Sequence, residues 1–414
     1  MRSKHTLLRF GVAFAVLAGC DSAPEAAPAE WYGVVEPIVR ENCSGCHSDG
    51  GIAPFPLTTY EEVSMVAQWV ASAVEDRTMP PWLAGQNCNE YKDDISLSDA
   101  EIAAISSWAD AGAPLGDPSK ALPPPESEPM GELSRVDMTL GMHAAYTPTV
   151  SPDEYRCFVL DGPESNLYVT GLRAIPGNAA IVHHVVVFAI PPGQVDAVEA
   201  LDQEDEAEGY TCFGSPLGGN GMVPMLGAWA PGASSAEFPD KTGLLVEAGS
   251  KIVIQLHYNI QNGTGADQTT LQLKTETEVP YPAVFRPFTS YNWVLDPETM
   301  SLPAQETTTH TFTQNISEPG FIHGTTLHMH TLGESGSLTL QRDGTDNECL
   351  LDIPRWDFHW QRGYQFTDPV EVVPGDQLEI RCTWDNTTDS EITWGEGTSD
   401  EMCLGFIYAT ADYE

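Results

Sequence analysis

Ile181-Val182-His183-His184-Val185-Val186-Val187-Phe188 is a β-branched, apolar run interrupted by two adjacent histidines. Short runs of this composition read as buried strands. Imidazoles seldom sit in such a run without a polar task. Neighbouring side chains on a regular strand point to opposite faces, so both rings can serve one site only at a strand end or a bulge. The octet therefore predicts a β domain with an irregular strand and a functional site built on it.

Three signals downstream give the pair a chemistry. His257 lies in Gln255-Leu256-His257-Tyr258-Asn259, His328 and His330 flank Met329, and Met402 lies in Glu401-Met402-Cys403. On a strand over Lys251–Asn259 the apolar face is Ile252, Ile254, Leu256 and Tyr258. His257 shares the opposite face with Val253 and Gln255 and is not an obvious core residue. Positions i and i+2 project from one strand face about 6.6 Å apart, so His328 and His330 can chelate one metal. Imidazole suits both oxidation states of copper, whereas a thioether binds Cu(I) well and zinc poorly. Five histidines and one methionine thus read as ligands for two copper ions. Alternation also puts Met402 and Cys403 on opposite faces, one free for a metal and the other for a disulfide. Cys382, on the apolar face of its strand with Leu378, Ile380 and Trp384, is the natural partner of Cys403.

The chain around these residues is mainly β beyond residue 136. Phe158–Leu160, Asn166–Val169, Lys251–Asn259, Thr270–Leu273, Ser337–Gln341, Gln377–Trp384 and Cys403–Ala409 are short and β-rich. Turn residues separate them, as in Asp161-Gly162-Pro163 and Pro374-Gly375-Asp376. Many short strands over this length predict two tandem β-sandwiches, 136–283 and 284–414, divided near Pro280–Pro287. Gly214–Gly232 reads as a long covering loop. Cys157–Cys212 is expected to pair within the first sandwich. Cys88 and Cys349 have no assigned partner, because four cysteines allow three pairings. His143, His310, His323 and His359 default to structural or surface roles, with His323 the exception to watch as a support for the ligands.

The front of the chain, 31–118, is helical. Ser98 and Glu101 form a capping box before the apolar face Ile102, Ile105 and Trp108, and Gly112 stops that helix. Within it lies Cys43-Ser44-Gly45-Cys46-His47. Two thiols three residues apart can bond both vinyl groups of a haem while the following imidazole takes the iron, so this reads as c-type haem attachment. Met79, in Thr78-Met79-Pro80-Pro81-Trp82, is the preferred sixth ligand, since a rigid thioether suits an electron-cycling haem. Met65 competes, but Val63, Met65 and Val66 are expected in the helical core. A Pro-rich linker, 119–135, follows. This domain resembles a small class of bacterial cytochrome c domains.

Length and composition bound the reading. The chain has 414 residues and 41% hydrophobic content, enough for two to four cored domains. With 18 Lys plus Arg against 60 Asp plus Glu, its formal charge is −42. That field repels nucleic acid and anionic membranes and favours cations or basic partners. Nine cysteines suit an oxidising compartment. Arg2, Lys4 and Arg9 precede an apolar run, Phe10 to Ala18, that is too short to span a bilayer. Leu17-Ala18-Gly19-Cys20 resembles the bacterial lipobox. It implies a signal peptide over 1–20, an acylated Cys20 and a tether over 21–30. The expectation is an exported, periplasmic or cell-surface bacterial lipoprotein, held to the membrane by lipid alone.

Residues from about 136 to 414 resemble the copper type II, ascorbate-dependent monooxygenases, the group of peptidylglycine α-hydroxylating monooxygenase and dopamine β-monooxygenase. The residues that carry the resemblance are His183-His184 followed by Val-Val-Val-Phe, Gln255-Leu256-His257-Tyr258, His328-Met329-His330-Thr331-Leu332-Gly333, Gly375-Asp376 running to Cys382, and Ser399-Asp400-Glu401-Met402-Cys403. The resemblance implies two jelly-roll domains facing each other across a cleft. It implies an electron-relaying copper on His183, His184 and His257 and an O2-activating copper on His328, His330 and Met402. Hydroxylation of a small organic substrate is the implied reaction. Two positions depart from the peptide-hydroxylating member. Thr326 stands where that member has an arginine two residues before its HxH, and Leu404 where it has an asparagine two residues after its methionine ligand, so a peptidylglycine substrate is not expected. The haem, supplied by an external donor, would replace ascorbate by passing single electrons to the His183/His184/His257 copper. The alternatives are a non-catalytic haem- and copper-binding carrier and a pure electron-transfer protein. Three protein ligands per copper leave a position open and favour the enzyme.

Overall fold

The computed structural model describes residues 29–48, 53–123, 132–212, 214–218, 223–229, 236–261, 263–342, 344, 346–395, 397 and 399–413. The expected signal peptide, Cys20, most of the expected tether and part of the Pro-rich linker lie outside the described residues.

Four helices form the front domain: α1 Glu36–Asn42, α2 Tyr60–Met65, α3 Ala67–Glu75 and α4 Asp99–Asp110. Capping boxes set two of their starts. Thr59 and Glu62 cap α2, and Ser98 and Glu101 cap α4 by reciprocal side chain–backbone hydrogen bonds. Gly112, at φ +82°, ends α4 in the left-handed conformation that a side chain resists. Trp31, Val35, Val63, Ile105 and Trp108 fill the core. Met65 is not in it. It is 80% exposed, because two residues beyond Val63 on a helix lies on the far side.

The rest is β-structure. The first half carries β1 Met138–Gly141, β2 Asp153–Leu160, β3 Leu167–Ile175, β4 Val182–Ile190, β5 Tyr210–Thr211, β6 Met225–Trp229, β7 Ala236–Glu237, β8 Thr242–Val246, β9 Lys251–Asn259 and β10 Thr270–Glu276. β11 is Tyr281–Phe288. The second half carries β12 Glu306–Asn315, β13 Gly320–His328, β14 Gly333–Gln341, β15 Glu348–Ile353, β16 Gly363–Val372, β17 Gln377–Asn386 and β18 Leu404–Thr410. The expected covering loop at Gly214–Gly232 is in part a strand, since β6 pairs antiparallel with Val185–Phe188 of β4. Apolar β6 residues such as Leu226, 1% exposed, gain more from the core than from a loop position.

The expected divide near Pro280–Pro287 is a seam rather than a gap. β11 pairs parallel with β8 of the first half and antiparallel with β18 of the second. One sheet of nine strands therefore runs through both halves in the order β1-β10-β3-β8-β11-β18-β13-β16, with β7 beside β3. A five-stranded sheet, β5-β2-β9-β4-β6, packs on the first half, and a four-stranded one, β12-β17-β14-β15, on the second. Each pair of layers encloses its own apolar core. Ala283 and Tyr408 lie in the first core, and Phe288 and Ile407, on the same two strands, in the second.

The front domain is fastened to the second sandwich. Residues 82–92 leave the helices, and Leu83, Ala84 and Tyr91 enter the second core. The Gly85 N–H donates to the Asp352 carbonyl, Tyr91 bridges Phe366, and Arg355 donates to the carbonyls of Asp76 and Arg77. Cys382–Cys403 and Cys157–Cys212 are disulfides, as expected, and Cys88 pairs with Cys349 across 261 residues of sequence. A cross-link that closes so long a loop removes much chain entropy from the unfolded state. Cys349→Ser is expected to cost on the order of 3–5 kcal/mol, read as a lower denaturation midpoint, with protease nicking advancing first between residues 76 and 98.

Candidate metal centres

The first cluster sits where β4 and β9 lose step. Val182 faces Tyr258 and His184 faces His257, so two residues of β4 advance against one of β9. The extra residue is His183. This bulge turns both adjacent rings to one side, as the strand parity required. His183 Nδ1 is 3.5 Å from His184 Nδ1, and His184 Nδ1 is 3.3 Å from His257 Nδ1. One ring nitrogen from each of the three lies within 4.8 Å of the others, the only such group of three His, Cys, Asp or Glu side chains among the described residues. His257 is 1% exposed, deeper than its place on the strand suggested.

Neighbours fix the orientation of that ring. Asp153 Oδ1 lies 2.9 Å from His257 Nε2 and also accepts from Asn259 Nδ2 at 2.9 Å. The hydrogen bond from His257 is the main cause holding the Asp153 carboxyl below the usual range. An Nε2–H donated to this carboxylate leaves the lone pair on Nδ1, facing the other two rings. Tyr155 stacks on His257 with ring centroids 4.1 Å apart.

The second cluster lies at the end of β13. His328 is its last residue, His330 follows two positions later, and Met329 between them points into the core. Their ring centroids are 5.1 Å apart. His328 pairs with Leu404 of β18, two residues beyond Met402. His328 Nδ1 is 2.5 Å from Gln361 Oε1, and His330 Nδ1 is 3.0 Å from the Asp400 carbonyl. With each Nδ1–H donated, the lone pair of each ring is left on Nε2. The first cluster presents Nδ1 from His257, whereas the second presents Nε2.

Buried Glu401 organises the turn around this cluster. It accepts from the backbone N–H groups of His330 (2.8 Å), Leu332 (2.6 Å) and Met402 (3.4 Å), and from Trp384 Nε1 at 2.9 Å. Burial is the largest influence on its carboxyl, which is pushed up to about 7 against these hydrogen bonds. A short segment, Phe358–Trp360, joins the two clusters. The Phe358 ring is stacked 5.6 Å from that of His183 and stands edge-on 6.1 Å from that of His330. His359 comes within 6.4 Å of His183.

Burial, then repulsion from His257 and His359, lowers the His183 pKa to about 4; burial, then His330, lowers that of His328 to about 3. His184 is held well below 6.5 and His330 is lowered, burial being the first cause for both. These rings are neutral at pH 7 with lone pairs free for a metal.

In the front domain Cys43 and Cys46 are the free cysteines among the described residues. Burial, then Cys46, raises the Cys43 pKa to about 11. His47 Nδ1 lies 2.9 Å from the Phe55 carbonyl, which leaves Nε2 available to an iron. Unpaired thiols beside a ring with one committed nitrogen fit covalent haem attachment. Met79 lines a cleft of about 680 Å³ between the front domain and the second sandwich, together with Trp82, Asp352 and Arg355. Cys43, Cys46 and His47 are not in that lining.

Some expectations fail here. His323 does not support a ligand, since its Nε2 bonds Thr410 Oγ1 at 2.9 Å and its ring packs on Tyr413. His359 is on the surface as expected, 74% exposed, at the edge of the first cluster. Asp153, Tyr155, Phe358, Gln361 and Glu401 were not singled out, and only Glu401, beside Met402, carried a sequence signal.

Residues 138–264 match the N-terminal domain, and residues 289–412 the C-terminal domain, of the copper type II ascorbate-dependent monooxygenases. Tyramine β-hydroxylase of Caenorhabditis briggsae is 26% identical over 247 residues, covering 56% of this chain and 40% of that protein. Dopamine β-hydroxylase of Homo sapiens is 28% identical over 279 residues, covering 61% and 43%. The chain thus spans less than half the length of these relatives. Among solved structures, the major capsid protein P2 of bacteriophage PM2 matches 67% of this chain and 98% of its own at 14% identity, with a TM-score of 0.27 that supports no argument.

Two measurements check the site. Asp153→Ala is expected to weaken copper binding at the first cluster by roughly 10–100-fold and to leave the second unchanged in a copper titration. In metal-free protein the lowered histidine pKa values favour the unfolded, protonated rings in acid. Stability is therefore fully present above about pH 6.5 and lost as pH falls through the folded values near 4 and 3. The melting temperature of metal-free protein should drop across that window, and copper loading at pH 7 should raise it.

Proposed function

Because the chain belongs to the copper type II, ascorbate-dependent monooxygenases, we propose that it is a dicopper enzyme that hydroxylates a C–H bond of a small organic molecule with O2. The observation that carries this reading is the bulge that converges His183, His184 and His257 on one point. His183, His184 and His257 would hold one copper, and His328, His330 and Met402 the other. Bound copper would supply one-electron relay at the first site and O2 activation at the second.

The chain's own residues do the rest. Asp153 commits His257 Nε2, and Gln361 and the Asp400 carbonyl commit Nδ1 of His328 and His330, so each ring offers a defined nitrogen. Three protein ligands at each site leave room for a further ligand. Phe358 stands against one ring of each cluster. The acidic surface attracts cations, and relatives named for dopamine and tyramine make phenylethylamines the first substrates to try.

Cys43, Cys46 and His47 would hold a covalent c-type haem, with Met79 as sixth ligand, replacing ascorbate as the source of single electrons for the first copper. The haem would itself be reduced by an external donor. The chain would be exported and anchored through acylated Cys20.

Metal analysis of copper-loaded protein tests the core of this. Two coppers and one iron per chain are expected, with one copper lost in His183→Ala and the other in Met402→Ala. Both variants should lose substrate-dependent O2 consumption by more than the roughly 10–100-fold that loss of a residue supporting a ligand costs. One copper per chain, or O2 uptake indifferent to every amine tested, would leave the carrier reading in its place.

A further inference from the structure

His257 is 1% exposed, so an ion that ends at the first cluster must be received by a ring nearer the surface. The second sandwich presents such a ring. The His359 side chain is 74% exposed, and its ring centroid stands 6.4 Å from that of His183. That is 0.7 Å more than the 5.7 Å between His183 and His184 within the cluster. His359 Nδ1 lies 3.2 Å from Asp357 Oδ1, an oxygen that also accepts from the His359 backbone N–H at 2.9 Å. Donating Nδ1–H to this carboxylate leaves the lone pair on Nε2, by the same device through which Asp153 sets the free nitrogen of His257. Among the described residues the His359 ring has no other hydrogen-bond partner.

The turn that carries His359 is held on both sides. Gln361 Nε2 donates to the Phe358 carbonyl at 3.0 Å while Gln361 Oε1 meets His328. Trp360 packs on the second core, and the Phe358 ring lies along that of His183. On this fixed turn the exposed imidazole can change rotamer in nanoseconds or less.

We propose that His359 is an entry ligand for copper, an assignment that rests on the copper reading above. Its Nε2 takes the ion from solvent and passes it to His183, from which it settles between His184 and His257. The step is an exchange of ligands: a bond to the His183 ring forms as the bond to His359 breaks, and no electron is transferred. The Asp357 carboxylate, 44% exposed, adds a negative charge that draws a cation to this rim.

The test is the rate of Cu(II) uptake by metal-free, full-length protein, followed as nitrogen-ligated copper by freeze-quench electron paramagnetic resonance. His359→Ala is compared in chains that load one cluster each, Met402→Ala for the first and His183→Ala for the second. Uptake at the first cluster should slow severalfold in His359→Ala, with its equilibrium dissociation constant and uptake at the second cluster unchanged. A weakened equilibrium affinity at the first cluster would make His359 a resident ligand and overturn the proposal. An unchanged uptake rate, or equal slowing at both clusters, overturns it too. Unaltered protein whose first cluster takes up no copper overturns the copper reading itself, and the entry ligand with it.

Discussion

Everything in the β region depends on β11 being paired on both sides. An unpaired edge exposes a row of backbone donors and acceptors and invites slippage or association. Here β8 and β18 satisfy both edges of one strand, one in parallel and one in antiparallel register. The two sandwiches are thereby fixed in one hydrogen-bonded sheet, with no flexible linker between them. Because Ala283 and Phe288 of that strand belong to different cores, neither core can shift without disturbing the other. The distance between the two histidine clusters is then a property of the fold, and Phe358 occupies the space between them.

Much of the site was legible because strand geometry admits few solutions. Two adjacent histidines in a buried strand demand an irregularity, and the register shift at His183 supplies it. Alternation around Met402 and Cys403 gave the Cys382–Cys403 disulfide for the same reason. The capping box at Ser98 and Glu101 was readable because its partners are three residues apart. Interactions local in sequence, or fixed by parity along one strand, leave a trace that can be read.

What was missed depends on pairing between distant segments. Asp153 reaches His257 only because β2 lies beside β9, and Gln361 reaches His328 only because β16, which it leads into, lies beside β13. Neither pairing has a linear signature. The union of both halves through β11 was hidden in the same way, since two prolines in Tyr281–Phe288 read as a boundary, and proline withdraws a donor from any ladder. Met65 was misplaced for a smaller reason: its helix ends there, and its neighbour Val66, not Met65 itself, faces the core.

The Cys88–Cys349 disulfide has a kinetic meaning beyond its contribution to stability. A redox module joined by a flexible arm samples many positions, and its contact with a partner is governed by an effective concentration that falls with the length of the arm. Here the covalent link lies inside the contact surface and Tyr91 is built into the neighbouring core, so the arm has no length. Any cofactor carried by the front domain would meet the second sandwich in a single pose. Its exchange with a site elsewhere in the same chain would then be first order and indifferent to enzyme concentration.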